Sequence, residues 1–219
     1  MAAFSCAQCG QEFSVQQSTL DKYPGWTPKV CLRCKGGAGA AAPSRRAASA
    51  KPKSWSFSGE ENLSTTEVLL RYTAGPKTGV FTDGAAHPNP GPGGWGAVYV
   101  VDNAIIAEKW GSDPGTTNNR MELTAILAGI DLVPQGVSSV LWTDSQLCVN
   151  TFTKWAKGWA ARGWRRKEGE VKNLDLVKEA YGRLIRRPEI ELCWVAAHNG
   201  FRWNEYADAL ATAYRRSEK

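Results

Sequence analysis

Residues 79–110 read GVFTDGAAHPNPGPGGWGAVYVVDNAIIAEKW, and the fold follows from how this stretch divides. Gly79-Val80-Phe81-Thr82 is an apolar run of strand length. Asp83 to Gly94 is rich in Gly, Pro and Asn, the composition of a loop. Trp95–Val101 and Ala104–Trp110 read as two further strands joined by Asp102-Asn103, so the stretch predicts a three-stranded meander.

Working outward, the pattern turns to alternating helix and strand. Asn119–Leu132 places Met121, Leu123, Ile126, Leu127 and Ile130 at helical spacing, and Pro134-Gln135-Gly136 stops it. Val137–Thr143 reads as a strand, Ser145–Trp155 and Leu174–Ile185 as helices, Ile190–Val195 as a strand and Asn204–Arg215 as a last helix. The expected class is α/β: a mixed five-stranded sheet flanked by helices. Ahead of it, Ser64-Thr65-Thr66-Glu67 carries a capping-box pattern, and Leu63, Val68, Leu69 and Tyr72 form an apolar set that would dock on a neighbour.

The whole chain has 219 residues, 42% hydrophobic and 22% charged, which argues against wholesale disorder. No apolar run is long enough for a transmembrane span, so no membrane partner is expected. The start, MAAFSC, has neither a basic nor an apolar targeting region, so a reducing, cytoplasmic setting is expected. Lys and Arg number 27 against 21 Asp and Glu, and the excess of +6 matters mainly through its placement. Residues 36–54 are Gly, Ala, Ser, Pro and basic, with no aromatic to bury. They read as a tether that either adds phosphate affinity or only keeps the chain solvated. The expected organisation is a cysteine module over 1–35, a basic linker over 36–58, a short docked segment over 59–76 and a main domain over 77–219.

Cys6-x2-Cys9 and Cys31-x2-Cys34 form two CxxC pairs separated by 21 residues. Four thiolates in this spacing suit tetrahedral Zn²⁺, which supplies folding energy to a block too small for a core of its own. Two disulfides are the competing reading, disfavoured in a reducing compartment. With no ligand position left open, the zinc is expected to be structural, and the block resembles a zinc ribbon, also through Phe13, Tyr23, Trp26 and Pro28. Lys22, Lys29, Arg33, Lys35 and Trp26 suit a nucleic-acid backbone or a protein contact equally. Cys148 and Cys193 read as buried small hydrophobes.

Asp83 follows one predicted strand and Asp144 ends another, so parallel pairing would bring both acids to one sheet edge. Glu122 is expected in the first turn of its helix and Asp208 on the last helix. Taken singly, each acid has an ordinary explanation as a helix-terminal charge, a turn residue or a solvated face. Clustered, they repel, and cations must neutralise them. Hard oxygen donors suit Mg²⁺, with Mn²⁺ as a substitute, and two such ions can activate water against a phosphodiester.

TDGAAHPNPGPGGWGA (82–97), TTNNRMEL (116–123), WTDSQ (142–146), WAKGWAARGWRRK (155–167) and AAHNGFRWNEYADALA (196–211) together resemble type 1 ribonuclease H, in that family's order. The resemblance covers about residues 77–219 and implies an endonuclease that cuts the RNA strand of RNA–DNA hybrids, leaving 5′-phosphate and 3′-hydroxyl ends. It places Asp83, Glu122, Asp144 and Asp208 on the catalytic metal-binding carboxylates and His198 on the family's mobile-loop histidine. The implied ion sharing is Asp83 and Asp144 on the ion that activates water, and Asp83, Glu122 and Asp208 on the other.

The resemblance places Asn89, Asn118, Asn119 and Gln146 in the minor groove of the hybrid, and Thr117 and Asn173 on a DNA-strand phosphate. Trp155 falls beside a DNA sugar. Arg162, Trp164, Arg165 and Asn204 complete the expected substrate set. Residues 151–172 carry seven basic residues against two acidic ones, a phosphate-tracking protrusion in which Ala160 and Ala161 stand where many relatives have lysine. His87 matches no functional position, and the cysteine module does not look like the hybrid-binding domain of eukaryotic relatives. The rival readings are a non-catalytic hybrid-binding protein, against which four intact acids stand, and another nuclease on the same fold. No obligate protein partner is evident, and nothing in the sequence points beyond a monomer.

Overall fold

The computed structural model describes residues 2–7, 10, 12–15, 17, 27–29, 62–166 and 169–216. The chain divides into two compact units, Met1–Ser56 and Phe57–Lys219. In the first, β1 (Ala2–Ser5) and β2 (Glu12–Val15) form an antiparallel hairpin that pairs Ala2 with Val15 and Ser5 with Glu12. Phe4 and Phe13 face each other across it with ring centroids 6.1 Å apart. Cys6 is buried just past β1, and the Gly10 N–H donates back to its carbonyl at 2.8 Å. The linker expectation, and those for Cys9, Cys31 and Cys34, lie outside the described residues.

The second unit opens with α1 (Thr65–Arg71), for which the capping box is realised. The Ser64 N–H donates to Glu67 Oε2 at 2.7 Å, and the Glu67 N–H donates to Ser64 Oγ at 3.3 Å. The sheet follows as β3 (Gly79–Ala86), β4 (Gly91–Val101) and β5 (Ala104–Thr116), then α2 (Asn118–Leu132) and β6 (Ser139–Thr143). Next come α3 (Gln146–Asn150), a π turn over Thr151–Trp155, α4 (Ala156–Ala161), α5 (Leu174–Arg186), β7 (Ile190–Trp194), α6 (Arg202–Ala211) and a 3₁₀ turn over Ala213–Arg215. Sheet order is β5-β4-β3-β6-β7, antiparallel through the meander and parallel for β3–β6 and β6–β7. The mixed five-stranded sheet is therefore present.

Alternation along β3 separates two cores. Val80 joins Ile126, Ile130, Leu141 and Val177 on the side of α2 and α5, whereas Phe81 joins Val98, Trp203, Tyr206 and Val68 on the side of α6 and α1. The docking expected for α1 is realised through Val68, which is 1% exposed. Burying one such side chain contributes roughly 1.5–3 kcal/mol.

Three expectations need correction. Asp83–Gly94 is not a loop, because β3 runs on to Ala86 and β4 begins at Gly91. The glycines there are packing sites as much as turn signals: a Cβ on Gly96 would lie 2.8 Å from the Ala207 carbonyl of α6, and one on Gly93 would lie 2.5 Å from Thr116 Cγ2. Next, β5 extends past Trp110 to Thr116. Finally, the helix expected over Ser145–Trp155 is divided into α3 and a π turn, and its path continues into α4. None of the described helices is long and apolar enough to cross a membrane.

Candidate active site

Register places the acids. Parallel pairing of β3 with β6 ends at Thr82 opposite Thr143, so the next residue on each strand is a carboxylate, Asp83 or Asp144. Asp83 sits within β3, not at its end, but at the point where parallel pairing stops. Glu122 lies in the second turn of α2, not the first. The helix starts at Asn118, and its Thr117 cap accepts from the Arg120 N–H. Asp208 comes from α6.

Three of these side chains each feel the charge of at least one of the others. Burial first, then repulsion from Asp144 and Asp208, raises the Asp83 carboxyl well above the ordinary range. Asp144 is raised by burial and by Asp208, against a lowering by His198. Glu122 is raised by burial and by Asp144, while Ser145 Oγ donates to its Oε2 at 2.5 Å and pulls the other way. Acids raised first by burial and then by one another's charge are groups a divalent cation would relieve. Four carboxylates supply the hard oxygen donors that Mg²⁺ takes. The donor set fits the ion.

His198 is exposed, and its Nδ1 lies 3.9 Å from Glu205 Oε2, an ion-pair distance rather than a hydrogen bond. The Glu205 carboxylate, with lesser help from Asp208 and Asp144, pushes the imidazole up to about 9. His198, Glu205 and Asp208 bring ligand atoms within 4.8 Å of one another. Glu205 itself is 7% exposed, and its Oε1 accepts the Gly200 N–H at 3.0 Å, which fixes the turn after His198.

The expected substrate residues fall into groups around these acids. Asn89 and Asn118 are joined: the Asn118 N–H donates to Asn89 Oδ1 at 3.3 Å, while Asn118 Oδ1 accepts the Ala86 N–H at 2.6 Å. Asn119 and Gln146 are exposed at the starts of α2 and α3. Asn173 stands in the left-handed region at φ 53° before α5. Arg120 ties the Thr117 end of α2 to it, donating to Asn173 Oδ1 at 3.5 Å and pairing with Asp175 at 3.0 Å. A cleft of about 650 Å³ runs between Asn119, Asn173, Trp155, Trp159, Arg162 and Arg166. Arg165 is exposed beside it in sequence.

Trp164 packs edge-to-face on Tyr181 at 5.6 Å with Lys178 over its ring, so it also holds the protrusion to α5. Asn204 is 3% exposed within α6, with its side-chain oxygen buried. Cys148 fits its reading as a buried hydrophobe, since burial pushes its thiol up to about 12. Cys193 is only half-buried.

Sequence reasoning passed over Ser145, Glu205 and Arg120. The signals were there for two: Ser145 follows Asp144 directly, and Glu205 stands three residues before Asp208, hence on the same helical face.

A mixed sheet that gathers four carboxylates at one edge defines a class, the hydrolases that cut phosphodiesters with divalent cations. Within that class, the RNase H family model matches residues 76–216. The chain therefore belongs to the RNase H family, whose members cleave the RNA of RNA–DNA hybrids endonucleolytically with a divalent cation. It is 45% identical over 140 residues to a ribonuclease H of Methylorubrum extorquens, covering 64% of this chain and 60% of that protein. It is 44% identical over 136 residues to a ribonuclease H of Herminiimonas arsenicoxydans, covering 62% of this chain and 92% of that one. Among solved structures it is similar to a type 1 RNase H with the type 2 active-site motif, at a TM-score of 0.52 and 31% identity over 67% of this chain and 76% of the other. It also resembles the N-terminal RNase H domain of a Mycobacterium tuberculosis protein, at a TM-score of 0.50 and 28% identity over 65% of this chain and 99% of that one.

Proposed function

We propose that Asp83, Glu122, Asp144 and Asp208 hold two Mg²⁺ ions, replaceable by Mn²⁺, and that cleavage of the RNA strand leaves 5′-phosphate and 3′-hydroxyl ends. The observation that carries this reading is the register that ends β3–β6 pairing one residue before Asp83 and Asp144, with Asp208 charge reaching both and Asp144 charge reaching Glu122. When bound, the cations supply an activated water and neutralise charge on the phosphate. The protein's own part is positional. Ser145 fixes the rotamer of Glu122. Asn89, Asn118, Asn119 and Gln146 carry amides suited to 2′-hydroxyls and base edges. Thr117 and Asn173, held together by Arg120, grip a phosphate of the DNA strand, and the cleft lined by Trp155 and Arg162 tracks that strand. His198, exposed beside Asp208, is the group that moves protons or helps product leave.

The first unit holds one structural Zn²⁺ through Cys6, Cys9, Cys31 and Cys34 in this reading. Its support is the donor set and the turn at Cys6, where the Gly10 N–H returns to the Cys6 carbonyl. The module would keep hybrid near the nuclease by raising its effective concentration.

Asp144→Asn tests the reading. Cleavage of labelled hybrid in Mg²⁺ is expected to fall below detection while hybrid binding in a gel shift persists. Normal turnover in that variant would overturn the ion assignment.

A further inference from the structure

Residues 62–75 lie ahead of the family match, which starts at residue 76, yet they are built against the loop that carries His198. They are anchored at two ends. At one, the Arg216 guanidinium donates to the Leu63 carbonyl at 2.8 Å and reaches the Asn62 side chain and the Ala209 carbonyl, while Val68 is buried in the α6 core. At the other, Arg202 Nε donates to the Tyr72 carbonyl at 2.5 Å, the Arg202 N–H donates to the Ala74 carbonyl at 2.9 Å, and Ala74 bridges Phe201 in parallel.

The contact continues into the loop. Gly75 lies so near Phe201 that a Cβ there would stand 2.8 Å from the Phe201 Cβ and Cγ. A Cβ on Gly200 would sit 3.8 Å from the Tyr72 ring. The turn His198-Asn199-Gly200 is thus held at its Gly200 end. Glu205 takes the Gly200 N–H on one side, and the Tyr72–Gly75 segment backs Gly200 and Phe201 on the other. His198 stands at φ 47° and Gly200 at φ 77°, conformations that L side chains adopt reluctantly and that surrounding contacts must hold.

We infer that residues 62–75 are a strap that positions the His198 loop for turnover, with Tyr72 as its positioning residue. The strap extends the catalytic unit beyond the family match and acts through His198 without touching substrate. This inference rests on the role proposed above for His198, and the test separates the two.

The experiment is a double-mutant cycle in the full-length protein with labelled RNA–DNA hybrid and Mg²⁺, comparing Tyr72→Ala, His198→Ala and the pair. Tyr72→Ala is expected to lower kcat roughly tenfold, a partial loss of the roughly 10²–10⁴-fold that proton-transfer groups contribute. KM for hybrid should stay within about twofold, because no substrate contact is removed. In the His198→Ala background the same change should leave kcat unaltered, since the group it positions is gone. Amide exchange at Gly200 should quicken in Tyr72→Ala. Equal loss of kcat in both backgrounds, or no loss in either while His198→Ala is impaired, overturns the strap. A His198→Ala protein with full turnover instead overturns the role of His198. Should Tyr72→Ala melt below the assay temperature, Gly75→Ala, which presses on Phe201, takes its place with the same two outcomes.

Discussion

Gly84 separates two ligands of the proposed ions, and adding one methyl group there should cost both stability and catalysis. It follows Asp83 on β3. A Cβ built on it would lie 2.6 Å from the Met121 carbonyl oxygen of α2, and closer still to the Met121 carbonyl carbon and the Glu122 amide nitrogen. These are backbone atoms in the second turn of a helix and no rotamer relieves them. Ordinary contact needs 3.4–4 Å, so β3 and α2 must part by about 1 Å. Overpacking of this kind costs about 1–3 kcal/mol, and a collision with backbone belongs at the upper end. For a domain of this size that is a fall of roughly 6–12 °C in Tm. The same 1 Å separates Asp83 from Glu122, and misplacement on that scale costs about 10²-fold in rate. Gly84→Ala is therefore expected to lower kcat on hybrid by about two orders of magnitude and to melt early. The control is Gly115→Ala: a Cβ there meets nothing within 4 Å, and its Tm should stay within about 2 °C of the parent. Parent-like activity and Tm in Gly84→Ala would refute the claim that backbone contact between β3 and α2 sets the ligand geometry.

The raised carboxyls give a second prediction. Asp83, Glu122 and Asp144 hold protons in the folded protein at pH values where the unfolded chain has lost them, so the folded state binds more protons and stability falls as pH rises above the ordinary carboxylate range. In chelator, Asp144→Asn should therefore melt above the parent by a margin that grows from pH 4 to pH 7 and shrinks or reverses when Mg²⁺ is added; a margin independent of both would refute the crowding. A third concerns the protrusion: Arg162→Ala and Arg166→Ala, both on the cleft wall, should each reduce the slope of log affinity against log salt by about one. Unchanged slopes in titrations from low to moderate salt would remove them from the phosphate track.

Much of the architecture was legible because apolar spacing is a local property. The helical period of Met121, Leu123, Ile126, Leu127 and Ile130 sits on the observed α2, and the strand readings at 137–143 and 190–195 lie within two residues of β6 and β7. The misreading at 83–94 has one cause. Glycine in sequence marks either a turn or a place where two backbones touch, and only the second neighbour decides between them. Here Gly93, Gly94 and Gly96 continue β4 because Thr116, Ala211 and Leu210 leave no room for a side chain. The burial of Asn204 was hidden for a related reason: a polar residue in a motif reads as a contact, and only the folded helix shows that it is 3% exposed. The pairing of Asp83 with Asp144 was legible because parallel strands bring residues at one height side by side. Their supports, Ser145 and Glu205, were not chosen because hydroxyls and carboxylates at such spacings are common, and only burial shows which are committed.

The four acids come from β3, the end of β6, α2 and α6. Strand register sets Asp83 against Asp144, and the interfaces between sheet and helices set the distance to Glu122 and Asp208. On the side of α2 the interface is the bare backbone of Gly84 against Met121 and Glu122. On the side of α6 it is Gly96 against Ala207 and Leu210, within the same turn as Asp208. Both helices thus rest on the meander through glycines, which brings repelling carboxylates closer than side-chain packing would allow. Carboxylates that repel would push α6 away from the sheet, and Val68 of α1 packs on the α6 side against that movement. If that packing sets the spacing of the proposed ligands, Val68→Ala should weaken Mg²⁺ binding several-fold in calorimetry, and unchanged affinity would show that α6 is held in place without α1.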